Sequence, residues 1–81
     1  MWQVYILQCA DKTLYTGITV DLARRLQEHN TSKLGAKYTK SRRPVKIVYA
    51  KKFRNRSAAS VAESKIKKMS RVEKIKLTNS A

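Results

Sequence analysis

At 81 residues the chain holds one compact core, expected as a single domain over residues 1–81, and is too short for a catalytic domain with a separate targeting domain. Hydrophobic residues at 42% and charged residues at 30% exclude a disordered chain. Nineteen Lys and Arg against five Asp and Glu give a net charge of +14, a self-repulsion that calls for a polyanionic partner: nucleic acid first, an anionic membrane second.

Other classes fall away on simple grounds. No apolar run approaches the ~18 residues of a spanning helix, and Met-Trp-Gln-Val does not start a signal peptide, so no membrane association and a cytoplasmic location are expected. Cys9 is the only cysteine, which excludes an intramolecular disulfide, and no Cys/His spacing suits zinc. At a strand end, Cys9 reads as a packed small residue more than as a reactive thiol.

In chain order, Gln3 to Gln8 and Thr13 to Ile18 are rich in β-branched and aromatic residues, with a polar turn at Asp11-Lys12. Asp21 is a good N-cap for a helix through about His29 that carries Leu22 and Leu26 on one face and ends at Asn30-Thr31-Ser32. Lys33 to Pro44 has no period and reads as a basic loop. Val45 to Ala50 predicts a third strand, more apolar than the first two and well covered. Ala58, Ala62, Ile66 and Met69 recur at helical spacing from Ser57 to about Met69. Ser70-Arg71-Val72-Glu73 has the form of a capping box opening a last helix, with Val72 and Ile75 facing inward. The expected fold class is α+β: a small three-stranded antiparallel sheet flanked by helices in the order β-β-α-β-α-α.

The polar candidates each carry a structural explanation. Tyr5 and Tyr15 lie on strands, where tyrosine simply fits a half-buried pleated surface. Arg25 and His29 are four apart, on the helix face that also bears Leu22 and Leu26, but Arg24-Arg25 also reads as a surface-exposed pair and a lone histidine as a structural one. Glu63 could, with Ser60, be a capping box that starts the second helix late, or it could be the carboxylate that holds a divalent cation. Asp11, Asp21, Glu28 and Glu73 have turn, cap, exposed-face and capping-box explanations.

Taken in order, Val4-Tyr5-Ile6, Tyr15-Thr16-Gly17, Arg25 with His29 four residues on, and Glu63 on a later helix resemble the GIY-YIG nuclease family. Leu14-Tyr15-Thr16-Gly17-Ile18-Thr19, Tyr38-Thr39, Pro44-Val45 and Ala62-Glu63 resemble its small single-domain branch. The resemblance implies a metal-dependent endonuclease that acts on DNA, branched or damaged DNA included. It implies Tyr5 as general base or water-orienting phenol, Tyr15 as hydrogen-bond donor to phosphate or water, and Arg25 as phosphate clamp. Glu63 would hold one Mg²⁺ or Mn²⁺ ion, and His29 would fill the family's supporting His/Tyr position. A phenol has an ordinary pKa near ~10, so a base role needs a nearby cation, which Arg25 and the metal could supply. Lys37, Tyr38, Lys40, Arg42 and Arg43 are expected to form a backbone-contacting rim, with Tyr38 stacking on an unpaired base or, equally, packing in a solvated basic loop. The alternative is a non-catalytic module binding DNA, RNA or a ribonucleoprotein, with targeting by a protein partner.

One geometric condition follows. A two-residue Asp11-Lys12 turn would put Tyr5 and Tyr15 on opposite sheet faces. A loop of Ala10-Asp11-Lys12, or a bulge, would set Tyr5 across from Gly17 and both phenols on one face; this is the register expected.

Overall fold

The computed structural model describes residues 1–31 and 37–79, except for the side chain of Lys37. Its elements are β1 (Trp2–Gln8), β2 (Leu14–Thr19), α1 (Leu22–Thr31), α2 (Lys37–Lys40), β3 (Lys46–Phe53), α3 (Arg56–Lys67) and α4 (Arg71–Asn79). The strands pair antiparallel in the order β2-β1-β3. The α+β layout is as expected, and the short α2 lies inside the stretch read as a loop, of which residues 33–36 are outside the described residues.

The hairpin closes through three residues. Cys9 N–H donates to Thr13 O at 2.9 Å, Lys12 N–H donates to Cys9 O at 3.0 Å, and Lys12 sits in the left-handed region at φ 71°. Asp11 Oδ1 accepts from the Thr13 amide at 3.1 Å and holds the turn. This loop pairs Tyr5 with Gly17 and Leu7 with Tyr15, which fixes the expected register. Because side chains alternate with period two, Tyr5, Leu7, Tyr15 and Gly17 share a face.

β1 is central and carries the core. Val4, Tyr5, Ile6 and Leu7 are all buried, alternating between two clusters. Tyr5, Leu7, Cys9 and Val45 pack with Leu22 and Leu26 of α1 on one face, while Val4 and Ile6 pack with Ala59 and Ile66 of α3 on the other. Each fully buried aliphatic side chain contributes about 1.5–3 kcal/mol. Cys9 is indeed a packed residue, and burial pushes its thiol up from the ordinary value.

Three expectations are corrected. β3 is an edge strand with Lys46, Ala50, Lys51 and Lys52 exposed, and β1 is the well-covered one, because only a strand paired on both sides lies between both helical layers. Ser60 and Glu63 do not start a helix: α3 begins at Arg56 behind Asn55, whose Oδ1 accepts from the Ala58 amide at 2.9 Å. The Ser70/Glu73 capping box does open α4, with the Ser70 amide donating to Glu73 Oε1 at 3.1 Å and the Glu73 amide to Ser70 Oγ at 3.2 Å. The phase it sets turns Lys74, Leu77 and Thr78 toward the body and leaves Val72 and Ile75 exposed, against the inward placement expected of them.

Candidate active site

The site starts from the central strand. Tyr5 is buried, and its hydroxyl lies 3.0 Å from His29 Nε2 in the last turn of α1. His29 Nδ1 is 2.8 Å from Thr39 Oγ1 of α2, and both residues are fully buried. A phenol, an imidazole and a hydroxyl thus form one chain of hydrogen bonds across three elements.

Gly17 makes room for it. A methyl group built there would lie 2.5 Å from the Tyr5 hydroxyl oxygen and 2.7 Å from Cζ, so only glycine lets the ring lie across β2 at this register. The group that lies against the β2 backbone at this point is the Tyr5 ring itself.

Charge surrounds the phenol. Burial raises the Tyr5 pKa above its ordinary value; a hydrogen bond from Arg25 pulls the other way, and Tyr15 and Glu63 add to the rise. Arg25 therefore does favour the phenolate, as expected, but desolvation outweighs it. Burial works against the charge on Arg25 too, yet its hydrogen bonds to Glu28 and Tyr5 prevail and hold its pKa above the usual arginine value. Burial, with Arg25 and Arg43 beside it, pushes His29 down to about 4, while Glu28 opposes the shift. The imidazole is neutral at physiological pH, with one donor and one acceptor nitrogen. A phenol proton donated to Nε2 leaves the phenol oxygen to accept from Arg25 and Nδ1–H to donate to Thr39 Oγ1; the opposite tautomer reverses both histidine bonds.

Asp21 caps α1, its Oδ1 accepting from the Arg24 amide at 3.1 Å, and this fixes the phase that places Arg25 and His29 toward Tyr5. Glu28 is more enclosed than an exposed-face residue: its side chain is 17% exposed and takes Arg25 Nη1 at 2.9 Å and Arg24 Nε at 3.4 Å. Thr19, Asp21, Arg24, Arg25 and Glu28 line an open concavity of about 190 Å³ on this side.

Tyr15 meets His29 edge-on, with ring centroids 5.2 Å apart, and stacks offset on Tyr38 at 5.9 Å. Of the expected rim, Lys40 is exposed, and the side chain of Lys37 lies outside the described residues. Arg42 lies over the Tyr38 ring at 4.0 Å, bonds Asp11 Oδ2 at 3.0 Å and donates to Tyr38 O at 2.8 Å. Tyr38 thus has Arg42 on its ring rather than a face open to a base. Arg43 turns inward and donates to the carbonyls of His29 at 2.5 Å and Glu28 at 3.3 Å, closing the end of α1.

Glu63 comes from α3. Its side chain is 22% exposed, it meets Lys67 at 3.4 Å, and its charge acts on Tyr5. Among the described residues no group of three or more His, Cys, Asp or Glu side chains could hold a metal ion. A partly exposed lone carboxylate fits an ion such as Mg²⁺ that keeps several waters and takes phosphate oxygens as further ligands.

Sequence reasoning read Asn30 as part of a helix stop, though α1 runs on to Thr31, and Thr39 as part of the family resemblance, and placed neither at the site. Asn30 bonds both backbone groups of Val45, its Nδ2 donating to O at 3.0 Å and its Oδ1 accepting from N at 2.8 Å. Both contacts join residues ten or more apart, which no local pattern encodes.

The hairpin with its two tyrosines, the arginine and histidine on α1 and the carboxylate on α3 all lie within residues 1–76, which a family model of the GIY-YIG catalytic domain matches. The chain belongs to the GIY-YIG family and has its nuclease-like fold. Within it, the chain is 61% identical over 74 residues to a UPF0213 protein of Syntrophus aciditrophicus, covering 91% of this chain and 85% of the relative. It is 54% identical to one of Oceanobacillus iheyensis, with the same coverage. The solution NMR structure of a UPF0213 protein from Bacillus halodurans matches with a TM-score of 0.62 and 40% identity, covering 98% of this chain and 84% of that one.

Proposed function

We propose that the chain is a divalent-metal-dependent endonuclease that hydrolyses phosphodiester bonds in DNA. The observation that carries this reading is the Tyr5 hydroxyl held between the neutral His29 imidazole and the Arg25 guanidinium. Arg25 binds the scissile phosphate through its planar fork and gives up its bond to the phenol as it does so. Tyr5 then orients a water. As the water oxygen attacks phosphorus, its proton passes to the Tyr5 oxygen and the Tyr5 proton to His29 Nε2; the bond from phosphorus to the leaving oxygen breaks, and that oxygen takes a proton from solvent. His29, whose low pKa makes it a weak holder, passes the proton back to the Tyr5 oxygen as that oxygen releases one to solvent, which resets the pair and balances the proton taken up by the leaving oxygen. Tyr15 hydrogen-bonds the phosphate from the same face. A Mg²⁺ or Mn²⁺ ion held by Glu63 would supply Lewis-acid charge at the phosphate. Nucleic acid as the partner is supported by the charge of +14 and by the family. Cytoplasmic location and targeting by a protein partner complete the reading; among the described residues no helix is long and apolar enough to cross a membrane.

A second reading, a module that binds DNA, RNA or a ribonucleoprotein without cutting it, is favoured by the burial of Tyr5 and the pairing of Glu63 with Lys67. Plasmid, junction DNA and RNA incubated with Mg²⁺ or Mn²⁺ separate the two. Cleavage abolished by Tyr5→Phe and by Glu63→Gln, with binding kept, is the expected result. Binding without nicking on every substrate would establish the module instead.

A further inference from the structure

We propose that the cleft between the β-hairpin and α4 is a binding subsite for the sugar-phosphate backbone of a nucleic acid strand, with Arg71 and Lys74 as its cations. It rests on the nucleic-acid half of the reading above and is independent of cleavage. The cleft has a volume of about 220 Å³ and is lined by Thr13, Leu14, Tyr38, Arg71 and Lys74, two cations and no carboxylate.

The cations are placed and left unneutralised. Arg71 Nη2 donates to Lys12 O at 2.9 Å, a bond across 59 residues that ties the start of α4 to the hairpin loop and orients the guanidinium at the cleft. One bond leaves most of the five guanidinium donors for an anion. Glu73, the acid between the two cations, is turned back onto the Ser70 amide by the capping box. Among the described residues neither Arg71 nor Lys74 pairs with a carboxylate.

The cleft also adjoins the candidate active site. Tyr38 forms one wall and stacks on Tyr15, which meets His29. A strand with its scissile phosphate at Arg25 therefore has a neighbouring stretch of backbone within reach of α4. Arg42 already lies on the Tyr38 ring, so Tyr38 serves as a wall for sugar rather than a platform for a base. Contacts of this kind position a strand and carry no sequence information.

The test is DNA binding by fluorescence anisotropy across a salt series, on a labelled single strand and a duplex. Arg71→Gln/Lys74→Gln is compared with Lys52→Gln/Lys65→Gln, which removes the same charge from exposed positions on β3 and α3. Gln at position 71 keeps a donor for the Lys12 carbonyl, and urea midpoints verify that both variants fold. Loss of two phosphate contacts flattens the slope of log K against log salt by about 1.4 for the single strand and about 1.8 for the duplex, roughly a 25- to 60-fold loss at 0.1 M salt. The control pair is expected to lose far less. Equal losses in both pairs would mean diffuse charge and overturn the proposal, as would no loss in the α4 pair. Inorganic phosphate that saturates the cleft while the α4 variant binds DNA normally would also overturn it, assigning the cleft to free phosphate. Cleavage by the wild type is scored separately, so a chain that shows this salt signature without nicking sinks the nuclease reading and leaves the subsite standing.

Discussion

The clearest physical consequence of the site is a stability that falls with acid because of one residue. His29 is the only histidine in the chain, fully buried, and its pKa is lowered from 6.5 to about 4. Between those values the unfolded chain holds a proton that the folded chain refuses, so this contribution is complete above about pH 6.5, falls with falling pH to about 4, and levels off below. A span of about 2.5 pH units at ~1.4 kcal/mol each removes about 3 kcal/mol. A domain of this length is stable by only about 4–12 kcal/mol, so the loss is a large share of the whole. Urea midpoints measured from pH 7 to 4.5 should fall steadily in the wild type, and the single histidine resonance in proton NMR should show no titration until below pH 5. In His29→Gln the slope over that window should largely disappear, whatever its absolute stability. A wild type with flat stability over this range, or an imidazole that titrates near 6.5, would refute the buried neutral histidine and with it the proton path from Tyr5.

Two further substitutions probe the frame that holds the site. Gly17→Ala places a methyl 2.5 Å from the Tyr5 hydroxyl, which must retreat and stretch its bond to His29. The overpacking costs about 1–3 kcal/mol and outweighs the ~0.4–1 kcal/mol that alanine gains by restricting the unfolded chain. A urea midpoint equal to or above wild type, with the His29 resonance unmoved, would show that the ring is not held as described. Asn30→Ala leaves both backbone groups of the buried Val45 without their partners, and chemical denaturation should show a loss of about 2–4 kcal/mol. A loss under about 0.5 kcal/mol would mean that water replaces Asn30 freely.

The register of the hairpin shows how far local chemistry reaches. Three loop residues at Ala10-Asp11-Lys12 put Tyr5 opposite Gly17, and the alternation of side chains does the rest. The caps at Asp21 and Ser70 were legible for the same reason: each satisfies backbone amides within three residues. Which way α4 then faces was not, since Val72 and Ile75 look as apolar as Leu77 and only the packing against the sheet selects among them.

By itself the sequence determined the charge, the three strands and the longer helices in their order, the family resemblance and the candidate polar residues, because these depend on composition, periodicity and short-range hydrogen bonds; the short α2 and its Thr39 were not legible. Tertiary structure alone decided their states. Desolvation raises the Tyr5 phenol despite Arg25 and strips His29 of its charge. Arg43 is folded back onto α1, Arg42 lies on Tyr38, and Arg71 is carried across to the hairpin. A basic residue in a sequence is only a charge; whether it closes a helix, covers a ring or waits for a phosphate depends on which buried or distant groups the fold brings beside it.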